Sequence, residues 1–299
     1  MPSVALAHRA TLRIGGDEAE PFLQRLVTAD LAKLGPGVAH PCALLSPQGK
    51  VLHEFGIARD DDGLLIDVSR AFLPDLARRL MLYRLHAAVT FEPRPSATVR
   101  AVWNRPAPYR DARFPGGVGR AYGPGEDARA DRGEDGGGDT GEDTGEDTGA
   151  LDDWSRLRIA AGVAEIGTDY GADDLFPHDV GLPANGGVAV AKGCYVGQEV
   201  VSRMHHRGTG RRRVALVEGD ALPAPGTALE AGGRPVGTMG SSIGGLGLAV
   251  VRIDRLADAL AAGAPVVAGG PPLTITPPPG AEWTTDRAET SGAGASEPA

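Results

Sequence analysis

The sequence predicts an α+β fold that ends in a small antiparallel β-barrel. Two helix-periodic segments alternate with short strand-like runs in the first half, and the turns between those strands are tight, which favours antiparallel pairing. From Arg213 onward, short β runs are separated by Gly and Pro, as in a barrel of about 65 residues. A chain of 299 residues with 41% hydrophobic content has room for two or three domains.

The elements of the first half follow from periodicity and turn signals. The pattern predicts a helix within Asp17–Leu34, and Ser69 is expected to cap a second helix that carries Phe72, Leu76, Leu80 and Tyr83. Ser46-Pro47-Gln48-Gly49 and Asp60-Asp61-Asp62-Gly63 are predicted turns. The predicted strands are Val38–Leu45, Val51–Ala58, Leu64–Val68, Ala87–Glu92 and Thr98–Trp103.

The second half begins with a short predicted helix, Trp154–Ala161, which Gly162 should stop. An irregular loop over Gly171–Gly187 leads to a predicted strand, Val188–Ala191. One further helix, Arg255–Ala262, interrupts the barrel strands. Gly244-Gly245-Leu246-Gly247 resembles half a dinucleotide-binding loop, but no helix follows it, so it is predicted to be a turn. The predicted barrel strands are Val214–Val217, Pro235–Met239, Leu246–Val251 and Leu273–Ile275.

The net charge of −9 is concentrated in two segments. Residues Pro124–Ala150 hold ten Asp or Glu and two Arg, and the tail from Ala281 holds four acidic residues and one Arg, which leaves the remainder at +2. The first segment lacks the apolar residues that could offset its ordering entropy, so we expect it to be disordered. Pro277-Pro278-Pro279 should end the fold, so we expect the tail beyond it to be disordered as well. Two cysteines, no secretory signal and no apolar run of about 20 residues predict a cytoplasmic protein without a membrane segment.

The most informative stretch is KGCYVGQEVVSRMHHRG, residues Lys192–Gly208. If a helix begins near Tyr195, its free N–H groups would favour a Cys194 thiolate, and Lys192, two residues earlier, could place its ammonium beside the thiol. Glu199 and Arg203 would pair along that helix. The pattern leaves open that Cys194 is simply a small buried residue, since cysteine is among the most buried residue types.

Metal and nucleic-acid sites fit this stretch poorly. Two cysteines cannot supply a four-cysteine site, and adjacent His205 and His206 diverge by about 100° on a helix. The sequence thus predicts no metal site of the protein's own, although Cys194 could lend one ligand to a cluster shared with a partner. The basic run His205–Arg213 could bind phosphate or carboxylate, but it lacks the interleaved aromatics of nucleic-acid binders, so direct nucleic-acid binding is not expected.

KGCYVGQE matches the K-G-C-Y-x-G-Q-E signature of the YgfZ family of folate-binding proteins, relatives of the glycine-cleavage T-protein. Similarity extends to the early helix Phe22–Asp30, the turn Ser46–Lys50, the helix Leu157–Gly162 and the hairpin Gly237–Val251. The resemblance implies a ring of two ferredoxin-like α+β units and a C-terminal antiparallel β-barrel around a folate channel. It also implies tetrahydrofolate-dependent assembly or repair of iron–sulfur clusters in client enzymes, including tRNA-modifying ones.

This resemblance assigns the candidate site residues. Cys194, with Lys192, would meet a cluster, a sulfur species or a one-carbon unit. Arg211 and Arg213 would face the glutamate tail of a reduced folate, whereas Gln198 and Glu199 would orient the loop or the pterin. The remaining expected folate contacts are Tyr195, Arg203, His53 and Asp67; for Tyr195, Gln198 and Glu199, plain helix packing stays open.

A folate-dependent aminomethyl- or methyltransferase of the T-protein type is the alternative function. The T-protein has two aspartates after its first hairpin turn, where this chain has His53-Glu54. It also has a pterin-binding glutamate where this chain has alanine within Arg158–Gly162. Alanine accepts no hydrogen bond from a pterin, so the accessory function is preferred and a non-enzymatic role is expected.

The expected division of the chain follows from these assignments. Residues 1–123 and 151–212 would form the α+β folate-binding region, and residues 213–280 the barrel. Residues 124–150 would be an acidic insertion and residues 281–299 a mobile tail.

Overall fold

The computed structural model describes residues 2–60, 63–123, 150–208, 210–281 and 283. Nearly all of the predicted acidic insertion, most of the predicted tail and two residues of the Asp60–Gly63 turn lie outside the described residues. The described chain divides into two compact units. The first takes in described residues of Met1–Leu44, His53–Trp154 and Asn185–Tyr195, and the second takes in those of Leu45–Leu52, Ser155–Ala184 and Val196–Ala299.

The first unit is built on a nine-stranded sheet in the order β1-β7-β9-β8-β3-β4-β5-β2-β6. The pairs β1–β7, β2–β5, β2–β6, β4–β5, β7–β9 and β8–β9 are antiparallel, whereas the short pair β3–β8 is parallel. The strands are β1 (Ser3–Ala5), β2 (Arg9–Gly15), β3 (Val38–Leu45), β4 (Val51–Asp60), β5 (Gly63–Ser69), β6 (Thr90–Arg94), β7 (Thr98–Trp103), β8 (Tyr109–Asp111) and β9 (Val118–Gly123).

The first unit also contains helices α1 and α2. Helix α1 (Ala19–Gln24) and a 3-10 turn (Leu31–Lys33) precede β3, and helix α2 (Leu73–Arg84) follows β5. Helix α2 buries Leu73, Leu76, Ala77 and Leu80, an i, i+3, i+4, i+7 spacing that covers one face. Pro74 lies in its first turn as expected, because the first turn needs no N–H from that residue.

The second unit contains a nearly closed antiparallel β-barrel, which confirms the predicted fold class. Its six strands run in the order β14-β11-β12-β13-β10-β15, and a bridge between Val266 and Leu273 links the two edges. The strands are β10 (Arg212–Glu218), β11 (Ala228–Ala231), β12 (Arg234–Ile243), β13 (Leu246–Arg252), β14 (Val266–Val267) and β15 (Thr274–Thr276). The helices are α3 (Leu151–Ala160), which begins in the first unit, α4 (Gln198–Arg207) and α5 (Ile253–Ala261).

Several element predictions need correction. The helix predicted over Asp17–Leu34 ends at Gln24, because the chain then turns to pair with β3. Thr28 N donates to Ala43 O at 3.0 Å, and the Gln24 side chain accepts from Leu31 N at 2.8 Å. Ser69 is not a helix cap: it ends β5, and Phe72 occupies the N-cap position.

The predicted strand Val188–Ala191 is irregular rather than a strand. Its contacts are to a loop instead of a strand edge: Ala189 N donates to Thr28 O at 2.9 Å, and the Thr28 hydroxyl donates to Gly187 O at 2.6 Å. This segment still leads directly into the Lys-Gly-Cys stretch, so Thr28 fixes the approach to the candidate site.

Among the described residues, no helix combines the length and the apolar character needed to cross a membrane.

Candidate functional site

The cysteine loop, residues 192–197, is anchored at its start by a buried lysine. Lys192 is only 7% exposed, and its Nζ donates to the carbonyl oxygens of Val27 at 2.6 Å and Ala29 at 2.7 Å. The same ammonium lies 5.1 Å from the ring centroid of Tyr195. Two carbonyls and an aromatic face compensate part of the cost of burying the charge.

Burial still perturbs the protonation of this lysine. It lowers the pKa of Lys192 from 10.5 to about 8, although Cys42 and Asp30 act in the opposite direction. Burial also raises the pKa of the Tyr195 hydroxyl to about 12. The lysine belongs to a buried polar cluster around Cys42. Burial also raises the pKa of the Cys42 thiol. Lys192 therefore anchors the loop.

Cys194 lies on the outside of the same loop and is exposed, whereas Cys42 is fully buried. The alternative of a small buried packing residue therefore applies to Cys42 and not to Cys194. Across the described residues, no hydrogen bond or ion pair is formed by the Cys194 thiol. A side chain at the preceding Gly193 would meet no atom within 4 Å, so this part of the loop is open.

Two local predictions about the thiol differ from the structure. Helix α4 begins at Gln198 rather than near Tyr195, so Cys194 precedes the first helical residue by four positions. The Lys192 ammonium donates to Val27 and Ala29 in the interior instead of facing the exposed thiol. In this geometry the Cys194 thiol is accessible from solvent, but the Lys192 ammonium is not placed to activate it.

The loop ends at Gly197, which caps α4 in a left-handed conformation with φ 79°. A Cβ at Gly197 would lie 2.7 Å from Ser46 O and 2.9 Å from Gly49 Cα. Gly49, at φ 80°, has the matching restriction, since its Cβ would lie 2.9 Å from Val200 Cβ. The predicted Ser46–Gly49 turn therefore packs backbone to backbone against the start of α4, and two glycines permit the approach.

Replacing Gly197 by alanine is expected to lower the free energy of unfolding by about 2 kcal/mol, because alanine is disfavoured at positive φ and its Cβ meets backbone atoms. Gly193→Ala is the matched control within the same loop. Its Cβ meets nothing, so we expect a change within about 0.5 kcal/mol. Urea unfolding of both variants measures the difference; equal stabilities would contradict the packing described here.

Helix α4 carries the remaining residues of the motif. Glu199 and Arg203 form the predicted i, i+4 ion pair at 2.5 Å on an exposed face. Gln198 is half-buried at the first position, and Val201 and Met204 face inward. The pair is solvent-exposed, so it contributes little to stability.

The predicted folate-tail arginines differ in their surroundings. Arg213 is half-buried: its Nη1 donates to Arg212 O at 2.7 Å and lies 3.6 Å from Asp179 Oδ1. Arg211 is mostly exposed, with Nη1 3.9 Å from Asp254 Oδ2. Both keep N–H groups that a carboxylate could use.

His178 was not singled out from the sequence because no periodic pattern marks its loop. Both ring nitrogens are buried, and neither has a hydrogen-bond partner among the described residues. Its ring centroid lies 6.1 Å from that of His205. Burial lowers the pKa of His178 to about 4, with Arg213 and His205 acting in the same direction, so the ring is neutral at pH 7. Within the described ranges, no group of three or more His, Cys, Asp or Glu is arranged to hold a metal ion.

His53 and Asp67 occupy buried positions in the first unit. His53 Nε2 lies 3.0 Å from Asp75 Oδ2, and burial lowers the pKa of this histidine to about 4. Asp67 accepts from Arg9 Nε at 2.7 Å and from the Tyr122 hydroxyl at 3.4 Å. His53 therefore joins β4 to helix α2, and Asp67 joins β5 to β2 and β9.

Asp67 is one member of a buried chain of alternating charges. Arg120 Nε lies 3.7 Å from Asp67 and 3.1 Å from Asp111, and Arg113 also pairs with Asp111 at 2.8 Å. The Arg120 guanidinium lies 4.8 Å from the Trp154 ring. Its Nη1 and Nη2 are buried with no hydrogen-bond partner among the described residues.

The fold defines the structural class of this protein, which is that of a glycine-cleavage T-protein. The chain aligns with the crystal structure of glycine cleavage system aminomethyltransferase T from Bartonella henselae with a TM-score of 0.63 and 14% identity, over 85% of this chain and 78% of that one. That likeness concerns the fold alone. Residues 211–283 match the family model of the CAF17 C-terminal beta-barrel domain.

Sequence comparison identifies the family to which the chain belongs. The chain is 31% identical to human mitochondrial iron–sulfur cluster assembly factor IBA57 over 73% of this chain and 67% of that protein. It is 26% identical to the tRNA-modifying protein YgfZ of Cronobacter sakazakii, over 75% of this chain and 73% of that protein. This chain belongs to the IBA57/YgfZ family, as its motif predicted. It spans only about two thirds of the length of the mammalian mitochondrial relatives.

Proposed function

We propose that this protein is a tetrahydrofolate-binding accessory factor for the assembly or repair of iron–sulfur clusters in client enzymes, including tRNA-modifying ones. The exposed Cys194 thiol, held on a loop that Lys192 anchors, is the observation that carries the proposal. The names of the relatives, an iron–sulfur cluster assembly factor and a tRNA-modifying protein, support the same function.

Cys194 would contact the cluster or a sulfur species while the client holds it. A thiolate is the ligand that iron–sulfur clusters prefer, yet a single sulfur cannot hold a cluster that takes four ligands. The thiol therefore lends one contact, and the client supplies the others. Its exposed position suits a cluster that belongs to another protein.

The other motif residues would position that thiol. Lys192 and Tyr195 hold the start of the loop against Val27 and Ala29, whereas Gly197 and helix α4 hold its end. In this proposal Gln198, Glu199 and Arg203 orient the loop or contact the pterin. Lys192 is a positioning residue and Cys194 is the reacting group.

A reduced folate fits the donor groups that the chain offers. Its glutamate carboxylates need hydrogen-bond donors. Arg211 and Arg213 would take the glutamate carboxylates. When bound, the folate supplies one-carbon chemistry.

The transferase alternative, in which His53 or Glu54 would accept the proton, receives less support from His53. A general base works best with a pKa near the operating pH, and burial holds the pKa of His53 at about 4. Its Nε2 is already engaged with Asp75. We therefore prefer the accessory function.

Calorimetric titration with tetrahydrofolate tests the folate part of the proposal. We expect binding by the wild-type protein. Arg213→Gln should weaken binding by about tenfold, the effect of losing one charge-assisted hydrogen bond of about 1.5 kcal/mol. Arg255→Gln is the matched control, because that exposed arginine donates to Pro235 O on the barrel and has no proposed role.

Two outcomes of the titration would contradict the proposal. An absence of heat at millimolar folate would remove folate from the proposal. Equal weakening by both arginine variants would show that general charge, and not Arg213, controls the affinity.

A further inference from the structure

The carbonyl cradle, residues Val27–Ala29, holds the segment that leads into the cysteine loop. Three successive carbonyls of this stretch accept hydrogen bonds from that segment. The central one, Thr28 O, accepts from Ala189 N at 2.9 Å. The two flanking ones accept from Lys192 Nζ at 2.6 and 2.7 Å. The position of the lysine, and with it the start of the cysteine loop, therefore depends on how the main chain of the cradle is held.

The Thr28 hydroxyl joins the cradle to two other parts of the chain. Thr28 is fully buried. Its hydroxyl donates to Gly187 O at 2.6 Å and accepts from Ala43 N, on β3, at 2.9 Å. The main chain adds a further contact, because Thr28 N donates to Ala43 O at 3.0 Å. A single side chain thus connects β3, the cradle and the segment that carries Cys194, seven residues after Gly187.

Both contacts of this side chain need a hydroxyl. A hydroxyl donates and accepts, whereas the methyl group of valine, which has nearly the same shape, does neither. Without it the buried Gly187 carbonyl loses a donor and the Ala43 N–H loses an acceptor, and a buried polar group left unpaired is costly. The Cys42 sulfur lies 4.0 Å from the hydroxyl oxygen, too far for a strong hydrogen bond.

The lysine is a less rigid anchor than the threonine. Lys192 reaches the cradle through a flexible four-carbon stem. The Thr28 hydroxyl is attached to a β-branched carbon with restricted χ1, and it contacts main-chain atoms on both sides. The hydroxyl therefore fixes the main chain of the cradle, and the lysine then binds to carbonyls that are already in place.

We propose that Thr28 is a positioning residue for the Cys194 thiol: its hydroxyl orders residues 187–195 so that the sulfur meets a client's cluster in one arrangement. This inference rests on the proposed function. Cys194 is exposed and forms no disulfide, so the order of its loop comes from the anchors on either side. A loop that is ordered before contact has less entropy to lose when the client arrives.

Hydrogen exchange of the native protein, measured by mass spectrometry, reports this order without reference to any function. We expect Thr28→Val to speed exchange in peptides from residues 187–195 by about tenfold, which corresponds to about 1.4 kcal/mol of local stability. Thr28→Ala is a second variant without the hydroxyl; it places no methyl group against the Ala43 N–H and should give the same result. Thr28→Ser keeps the hydroxyl and should stay within about twofold of the wild type.

Thr11→Val is the matched control. Thr11 is another buried threonine of the first unit, but it lies on β2, between β5 and β6. The same isosteric change there should leave the exchange of residues 187–195 unaltered.

Client iron–sulfur enzyme activity connects the order of the loop to its use. In cells from which the gene has been deleted, Thr28→Val and Thr28→Ala should restore less than about a tenth of the wild-type activity at equal protein level. Thr28→Ser and Thr11→Val should restore it fully. Iodoacetamide should still modify Cys194 rapidly and Cys42 slowly in Thr28→Val, because the fold and the access to the thiol remain while its fixed position is lost.

The outcomes separate this inference from the proposed function. Equal exchange of residues 187–195 in the wild type and in both variants without the hydroxyl would overturn the role of Thr28. Full client activity despite faster exchange would overturn it as well, since the order of the loop would then not matter. If the wild-type protein itself restores no activity, the proposed function fails and this inference fails with it.

Discussion

Cells in which Cys194→Ala replaces the wild-type protein are expected to show the same iron–sulfur enzyme activity as cells that lack the protein. The substitution removes the exposed sulfur that the proposal requires, and it breaks no disulfide. The free energy of unfolding should therefore change by less than about 0.5 kcal/mol. Enzyme activity in extracts, normalised to protein level, measures the effect.

Cys42→Ala is the matched control for this variant. Cys42 is fully buried, so its replacement should lower the free energy of unfolding by about 1 kcal/mol. The exposed thiol of Cys194 stays in place. We expect that variant to restore client activity. Full activity with Cys194→Ala, or loss with Cys42→Ala at normal protein level, would contradict the role given to Cys194.

Replacing Lys192 by methionine is expected to lower the free energy of unfolding at pH 7 by about 2 kcal/mol, because two buried carbonyls lose a charge-assisted donor. Methionine keeps the apolar stem and its contact with Tyr195. The carbonyls of Val27 and Ala29 are left without this donor. Urea unfolding measures the loss, and client activity should fall as the cysteine loop loosens.

The stability difference between wild type and Lys192→Met should also depend on pH. The pKa of Lys192 is about 8 in the folded protein and 10.5 as its ordinary value, so the unfolded chain binds the additional proton between these pH values. Stability rises with pH wherever the unfolded state binds more protons, so the wild type gains up to about 3 kcal/mol over this window. A neutral amine still has two N–H donors for the two carbonyls.

A second lysine variant provides the control for this pH dependence. Lys33 is exposed and pairs with Asp30 at the surface, so Lys33→Met should follow the wild-type pH profile. A pH-independent difference between wild type and Lys192→Met would contradict the buried position of the ammonium.

Turn chemistry and periodicity predicted the hairpins and the barrel from sequence. Strands Val38–Leu45 and Thr98–Trp103 have the bounds that their β-branched and apolar runs indicated. Strands β2 and β9 were not predicted. Each contains an arginine, and a charged residue usually indicates a solvent-exposed position. Arg9 and Arg120 are instead buried against Asp67 and Asp111, a pairing between distant segments that no local pattern reveals.

The sequence proposed the residues of the candidate site, but it did not predict their geometry. The motif identified Lys192 and Cys194, and their spacing of two residues suggested that both faced the same side. The structure turns the lysine inward because Thr28 holds residues 187–189 and the neighbouring Val27 and Ala29 carbonyls receive the ammonium. Those partners lie more than 150 residues away in the chain, so the sequence alone could not place them.

The rate of alkylation of the two thiols in the native protein tests the central claim most directly. Iodoacetamide labelling at neutral pH, followed by mass spectrometry, gives a separate rate for Cys194 and for Cys42. A loop that presents its sulfur to a client predicts rapid modification of Cys194 and modification of Cys42 only after unfolding. A Cys194 that reacts as slowly as Cys42 would contradict the claim, because no client cluster could then reach it.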